Sequence, residues 1–380
     1  MSEPGRAPRQ VGLDLVRALA IILTCAMHFV WAIGAWQYGR DFEMLPISAA
    51  RNTGETFWLW AYHSQHGVYL FFVLSGFLLM QRWCSPPAPQ VLHYLRDRAW
   101  RTLPGAWLAL ATALLLLALA GKAPGEPWLR WLENAVFLDW FRRDDNHHLL
   151  IVTWSLQAEW LFYLSLPVVA WLAARGAQRG LPAGWTVLLC GAVAMVVLKL
   201  LSQRGGAYAL FFTAGALCAV QRDAWRPALQ RLPWWVLIAA YLGVNFVYGW
   251  TTPTAARLQA PGFHAFEWHA IAFAVVAGAM VLKAADHAFT HAVWVRLGSH
   301  IGRISFSIYL WHLLVVIALA QLFDIPGRWS AWPAAPAIAL YLVVATLATW
   351  AVSLASFALI ERPYFERRKR TARVMRAEAP

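Results

Sequence analysis

The sequence predicts an all-α protein: a polytopic membrane helix bundle of about ten transmembrane helices, with N- and C-termini cytoplasmic. Three observations carry this. The chain is 60% hydrophobic and only 13% charged, where a soluble domain is nearer half apolar and a quarter charged. Its 380 residues hold ten mostly apolar stretches, most of them near the ~20 residues that cross a bilayer. Its Lys and Arg are unevenly shared between the two sets of connecting segments, which orients a membrane chain.

The first expected span is 12–34. Only two arginines precede it and no small-residue cleavage site follows, so it reads as a retained helix rather than a signal peptide. The second, 57–82, is long enough to be tilted, broken or joined to an interfacial turn. The third, 103–121, is placed where Pro104 opens it. Then come 150–172, 184–202 with Lys199 inside it, the short 207–221, and 234–250. The last three are 266–284, 304–323, which opens on the polar run RISFSIYLWH, and the long 334–360.

With the N-terminus cytoplasmic, 22 of the 32 Lys and Arg fall on the inner side and 9 on the outer. The net charge of +13 is then largely a topology signal, and nucleic-acid binding is not needed to explain it. The outer loops 35–56, 122–149 and 251–265 carry the acids Asp41, Glu43, Glu126, Glu133, Asp139, Asp144 and Asp145. No separate soluble domain is expected: residues 1–366 form a single transmembrane domain and 367–380 a basic cytoplasmic tail. Cys25, Cys84, Cys190 and Cys218 form no CxxC pair. Neither a disulfide framework nor a metal site is expected.

Ionisable groups at membrane depth point to function because lipid makes them costly. In RALAIILTCAMH, Arg17 and His28 are eleven residues apart, which returns them to within about 20° of one another on a helix and separates them by about 16 Å along it. Asp14 shares the face. Arg17 either snorkels to the inner interface with Asp14 as its partner or serves the site. His28 lies in the outer half of the membrane. Glu159, about 10 Å from the outer end of its span, falls at a similar level. A carboxylate beside an imidazole fixes its tautomer and raises its basicity, as a general base for a hydroxyl requires. Ser305, Tyr309 and His312 give their span an unusual polar content. There Tyr309 suits packing, and Ser305 can bond back to its own helix. Ser75-Gly76 marks a kink or a close helix approach. Arg98 and Arg101 share a face near the expected helix start, and guanidinium pairs there suit phosphates.

The ordered set of motifs resembles the acyltransferase-3 family of integral-membrane, acyl-CoA-dependent acyltransferases, which includes O-antigen, exopolysaccharide and macrolide acylases. Arg17 and His28 fit its Arg-x10-His element, and Gly67 to Leu79 fits its GVxLFFVLSGFLL segment. Arg98, Arg101 and Pro104 fit its Arg-x2-Arg-x2-Pro element. Trp154, Ser155, Leu156, Glu159, Phe162 and Tyr163 fit WSLxxExxFY. Gly298 to His312 and Glu361-Arg362-Pro363 complete the series. Tyr69 and Trp160 depart from the family's frequent Asp and Glu. No fused extracytoplasmic hydrolase-like domain is expected.

The resemblance implies acyl transfer from cytoplasmic acyl-CoA, acetyl-CoA foremost, to a hydroxyl of a sugar, glycolipid or polysaccharide precursor in a bacterial inner membrane. His28, Glu159, Asp14 and Arg17 would serve catalysis. Arg98, Arg101 and Ser75 would hold the donor. Trp154, Ser155, Tyr163, Ser305, Tyr309 and His312 would line the pocket. The implied partners are acyl-CoA, the carbohydrate acceptor and the lipid bilayer, with no nucleic acid and no metal. A glycolipid transporter or flippase is the competing reading, and a sensor or scaffold without chemistry a third.

Overall fold

A computed structural model describes residues 11–37, 45–63, 66–138, 148–201, 205–251, 267–322 and 334–366. Among these, all regular structure is helical. In chain order the helices are α1 (Val11–Gln37), α2 (Thr53–His63), α3 (Gly67–Cys84), α4 (Val91–Leu119) and α5 (Pro127–Ala135). They continue as α6 (Trp154–Gln178), α7 (Ala183–Leu201), α8 (Gly205–Val220), α9 (Arg222–Arg231) and α10 (Trp234–Thr251). The last are α11 (Trp268–Asp286), α12 (Ala292–Leu322) and α13 (Ala334–Ser356), which runs into a π-helical turn, Phe357–Glu361.

Every expected span contains helix, and among the described residues eight helical stretches are long and apolar enough to cross a bilayer. The helix over 207–221 is shorter, and α10 follows α9 at a bend of 99°. The long second span divides into α2 and α3. Two helix starts differ from expectation. Helix α4 begins at Val91, not at 103, and Pro104 lies inside it. Helix α12 begins at Ala292, not at 304. In both, polar turns precede the apolar run, so hydropathy marks only part of the helix. Arg98 and Arg101 are therefore interior to α4 and are not at a helix N-terminus. Asp41, Glu43, Asp139, Asp144, Asp145 and the tail 367–380 lie outside the described residues.

The chain divides into two compact units. One draws on Met1–Val30, Arg40–Pro89 and Leu164–Ser305, the other on Trp31–Gly39, Gln90–Tyr163 and Phe306–Pro380.

In the first unit α3 packs on α8, which also meets α7 and α11. A Cβ at Gly76 would collide with the Phe212 carbonyl, and one at Gly215 with the Val73 carbonyl. The two backbones therefore touch, as small residues allow in membranes, and this is the close approach that Ser75-Gly76 announced. Tyr69 stacks on Phe211 at 4.5 Å between centroids and borders Phe72, Tyr208 and Phe273. A carboxylate at this position would be buried in rings; the tyrosine makes it core. Helix α1 is held the same way. A Cβ at Gly12 would strike the Ala284 carbonyl of α11, while Gly298 and Gly302 of α12 admit Leu15 and the Asp14 backbone.

In the second unit α4 packs on α5 and on the π-turn. Trp107 Nε1 donates to the Ala135 carbonyl at 3.1 Å. Gly105 leaves room for Leu310 and Phe306 of α12. Trp160 Nε1 donates to Thr102 Oγ1 at 3.2 Å, so this departure from the family pattern ties α6 to α4.

Candidate active site

In the first unit, Asp14 and Arg17 form an ion pair at 2.9 Å. Asp14 is buried and Arg17 is partly exposed. One turn separates them, so helical geometry alone brings them together.

His28 lies three turns further along α1. Its Nδ1 is 3.1 Å from the Thr24 carbonyl. A carbonyl can only accept, so Nδ1 carries the proton and the neutral ring has its lone pair on Nε2. At Nδ1 the preceding turn of α1 orients the ring. Ser75 sits on α3 beside the Gly76 contact. Ser305 donates to the Gly302 carbonyl at 3.1 Å, the back-bonding expected of it.

In the second unit the centre is Arg98, buried in the membrane-spanning helix α4. Its guanidinium carbon lies 6.0 Å from the Tyr94 ring centre and 5.8 Å from that of Tyr163, within cation–π range. Tyr94 is one turn earlier on α4, and Tyr163 comes from α6. Glu159 and Tyr364 are also close enough to act on the Arg98 charge. The Tyr163 hydroxyl donates to the Glu159 carboxylate one turn away. Arg98 Nε is buried and has no hydrogen-bond partner among the described residues. The two rings hold the cation by their faces without consuming that donor, and a guanidinium fork suits a phosphate.

Arg101, one turn on, acts on Tyr163 and on Glu361. Glu361 is buried at the end of the π-turn and accepts from the Ser307 hydroxyl at 2.5 Å. π-turns interrupt a helix to re-aim side chains and recur at functional sites. This one sets Glu361 against α4.

Tyr309 donates to the Val152 carbonyl at 2.6 Å, and its oxygen is 2.6 Å from Ser155 Oγ. The two hydroxyls fasten α12 to the turn that starts α6, so both have structural work. His312 is fully buried and bonds to the Ile308 carbonyl through Nδ1 at 3.0 Å, the same tautomer-fixing contact as His28. Trp154 is the first residue of α6.

The structure thus gathers Arg98, Arg101, Glu159 and Tyr163 in one cluster of the second unit. Asp14, Arg17, His28, Ser75 and Ser305 belong to the first. Tyr94, Glu361 and Tyr364 were not picked as site residues from the sequence. The spacing of Tyr94, Arg98 and Thr102, four residues apart on one face, was the available signal for the first. Only the closing ERP motif hinted at the other two.

Residues 10–354 match the acyltransferase domain family known as acyltransferase-3. Nodulation protein 10 of Rhizobium leguminosarum bv. viciae is 24% identical over 332 residues, covering 79% of this chain and 82% of the relative. No solved structure gives a significant match.

Proposed function

The chain belongs to the acyltransferase-3 family, and from that premise we propose that it moves an acyl group, acetyl in the first instance, from cytoplasmic acyl-CoA to a hydroxyl of a sugar, glycolipid or polysaccharide precursor. That it is an integral membrane enzyme transferring acyl groups follows from the family and from eight helices fit to cross a bilayer. Family membership favours acyl transfer over the glycolipid transport that intramembrane charges alone would also suit. The donor, the acceptor, the inner membrane of a bacterium and the cytoplasmic placement of both termini belong to the proposal.

The observation that carries the donor assignment is Arg98. A buried guanidinium clamped between two tyrosine rings, with a donor unspent on the protein, is a prepared anion site. Arg101 adds a second cation one turn away. Glu159 balances the pair's charge. Acyl-CoA supplies an activated thioester when bound.

His28 acts as general base at Nε2. It takes the acceptor hydroxyl's proton as the new ester C–O bond forms and the thioester C–S bond breaks, then passes it to the departing thiolate. The Thr24 carbonyl keeps Nε2 the basic nitrogen throughout. Asp14 and Arg17 hold the inner part of α1 in place.

Calorimetric titration of the purified protein with acetyl-CoA tests the donor. Wild type is expected to bind, and Arg98→Ala/Arg101→Ala to lose most of the affinity. Absence of binding to wild type overturns acyl-CoA as donor, and unchanged binding in the double variant overturns the phosphate clamp. Mass spectrometry of envelope glycans with and without the protein identifies acyl mass and acceptor together. No mass difference in any glycan would refute the acceptor class.

A further inference from the structure

Helix α5 is amphipathic, and it is turned the wrong way for water. Trp128, Leu132 and Val136 recur every fourth residue and are 69%, 45% and 51% exposed. At helical geometry they fall within about 80° of one another. Arg130, Glu133 and Asn134 lie about 150° away, on the other side. Asn134 is fully buried, and the Arg130 and Glu133 side chains are mostly covered. A helix on an aqueous surface buries its apolar stripe and exposes its charges. Here the apolar stripe is outermost, and the Arg130–Glu133 pair, 3.9 Å apart, is turned inward.

The helix also lies deep. Trp107 Nε1 donates to the Ala135 carbonyl at 3.1 Å, and Trp131 Nε1 to the Trp107 carbonyl at 3.4 Å. Leu119 ends α4, and Trp107 lies about 18 Å before it along the helix. With 9 residues, α5 is only ~13 Å long, too short to cross a hydrocarbon core of ~30 Å. It therefore enters beside α4 and stops part-way. Phe137, just past its end, has a left-handed φ of 63°, which breaks the helical path. The limb that leads on to α6 is deep as well. The Leu149 N–H donates to Asn134 Oδ1 at 3.0 Å. The Val152 carbonyl accepts from Tyr309, which lies about 20 Å before the Leu322 end of α12.

The neighbouring helix says what covers the outward stripe. Helix α4 exposes Leu108, Leu115 and Leu119, which share one face. On a membrane-spanning helix such a face meets acyl chains. Trp107 borders that face, is 40% exposed and is the residue bonded to α5. The stripe of α5 thus continues the lipid-facing surface of α4. Charge agrees with this. No ionisable residue falls on the stripe, and the two within α5 pair with each other on the inward side, as lipid requires. Lys122 and Glu126 both precede the helix.

We propose that α5 is a re-entrant helix immersed in the leaflet that the Leu119 end of α4 reaches, with Trp128, Leu132 and Val136 against acyl chains. The partner of this surface is the hydrocarbon of the bilayer itself. Trp128, in the first turn, suits the shallower level near the headgroups, and Leu132 and Val136 suit the deeper one. A segment that an outer aqueous loop was expected to hold is then part of the membrane domain. Its polar edge faces the protein at a depth where lipid alone would not solvate it, so α5 divides hydrocarbon from a polar interior, as the half-helices of other membrane proteins do. The inference is independent of the acyl-transfer reading.

Spin labelling of the full-length protein in lipid nanodiscs tests the depth. In a background without native cysteines, a nitroxide is attached at Gly125→Cys, Leu132→Cys or Val136→Cys. Its collisions with oxygen, which concentrates in hydrocarbon, are compared with its collisions with a neutral nickel chelate, which stays in water. The oxygen-to-nickel ratio is expected to be severalfold higher at Leu132 and Val136 than at Gly125. Equal ratios at the three sites overturn the proposal, because α5 then stands in water. Few collisions with either reagent at Leu132 and Val136 also overturn it, because the stripe is then covered by protein. Trp128→Cys, on the same stripe, replaces either site whose variant does not give a monodisperse protein.

Discussion

At the scale of single residues, two side chains have their chemistry set by immediate neighbours. His28 donates its Nδ1–H to the Thr24 carbonyl, so Nε2 is the basic nitrogen. His28→Ala is expected to remain folded and to lose about 10²–10⁴-fold in turnover, the usual range for a general base. Acyl transfer by the purified variant at the wild-type rate would end that assignment. Arg98 depends on shape as well as charge. Arg98→Lys keeps the cation but loses the planar fork that lies over Tyr94 and Tyr163. The KM for the donor is expected to rise about two- to thirtyfold, matching the ~0.5–2 kcal/mol of a cation–π contact, with kcat little changed. Both residues were legible in the sequence, because an ionisable group in an apolar run stands out. Their partners were legible only when local: Thr24 and Tyr94 lie one turn away, while Tyr163 and Tyr364 arrive from distant segments that no spacing connects to Arg98.

At the scale of elements, the spans were legible because bilayer thickness sets a minimum apolar length, and each of the ten stretches contains helix among the described residues. Their ends were less so. Helix α4 carries VLHYLRDRAWR ahead of its apolar run, and a hydropathy reading takes such turns for a loop. That error made Pro104 look like a helix opener and the arginines look terminal. The small amphipathic α5 went unseen for the same reason. Seams between elements rest on glycine. Gly302→Val would drive a side chain into the Asp14 backbone. The expected loss is about 1–3 kcal/mol, read as a lower thermal midpoint in detergent, and an unchanged midpoint would show that the seam yields. Ser307→Ala removes the donor to the buried Glu361. About 1–3 kcal/mol of stability should go with it, while Ser307→Thr, which keeps a hydroxyl, should recover part.

At the scale of the whole molecule, the uneven spread of Lys and Arg expects one orientation. In a background without native cysteines, Gly125→Cys should react with a membrane-impermeant maleimide on intact cells. Arg179→Cys should react only after the cells are opened. The reverse pattern would turn the chain over and put Arg98 and Arg101 on the outer side, where no acyl-CoA is supplied. Positive-inside statistics reach this far because they sum many weak preferences over the chain. They say nothing of which helices touch, and neither the glycine contacts of α1 with α11 and α12 nor the π-turn beside α4 could have been read that way.

The Asp14–Arg17 pair has one more consequence, and it concerns synthesis. Helix α1 leaves the ribosome well before α12, yet two of the glycines that seat it, Gly298 and Gly302, belong to α12. At about 5–20 residues per second, α12 follows on the order of half a minute later. Through that interval the Asp14 end of α1 waits in lipid without the α12 backbone that later packs against it. The ion pair closes within a single turn of α1 itself, so the nascent helix carries its own counter-ion into the bilayer and need not wait for the rest of the protein to neutralise it.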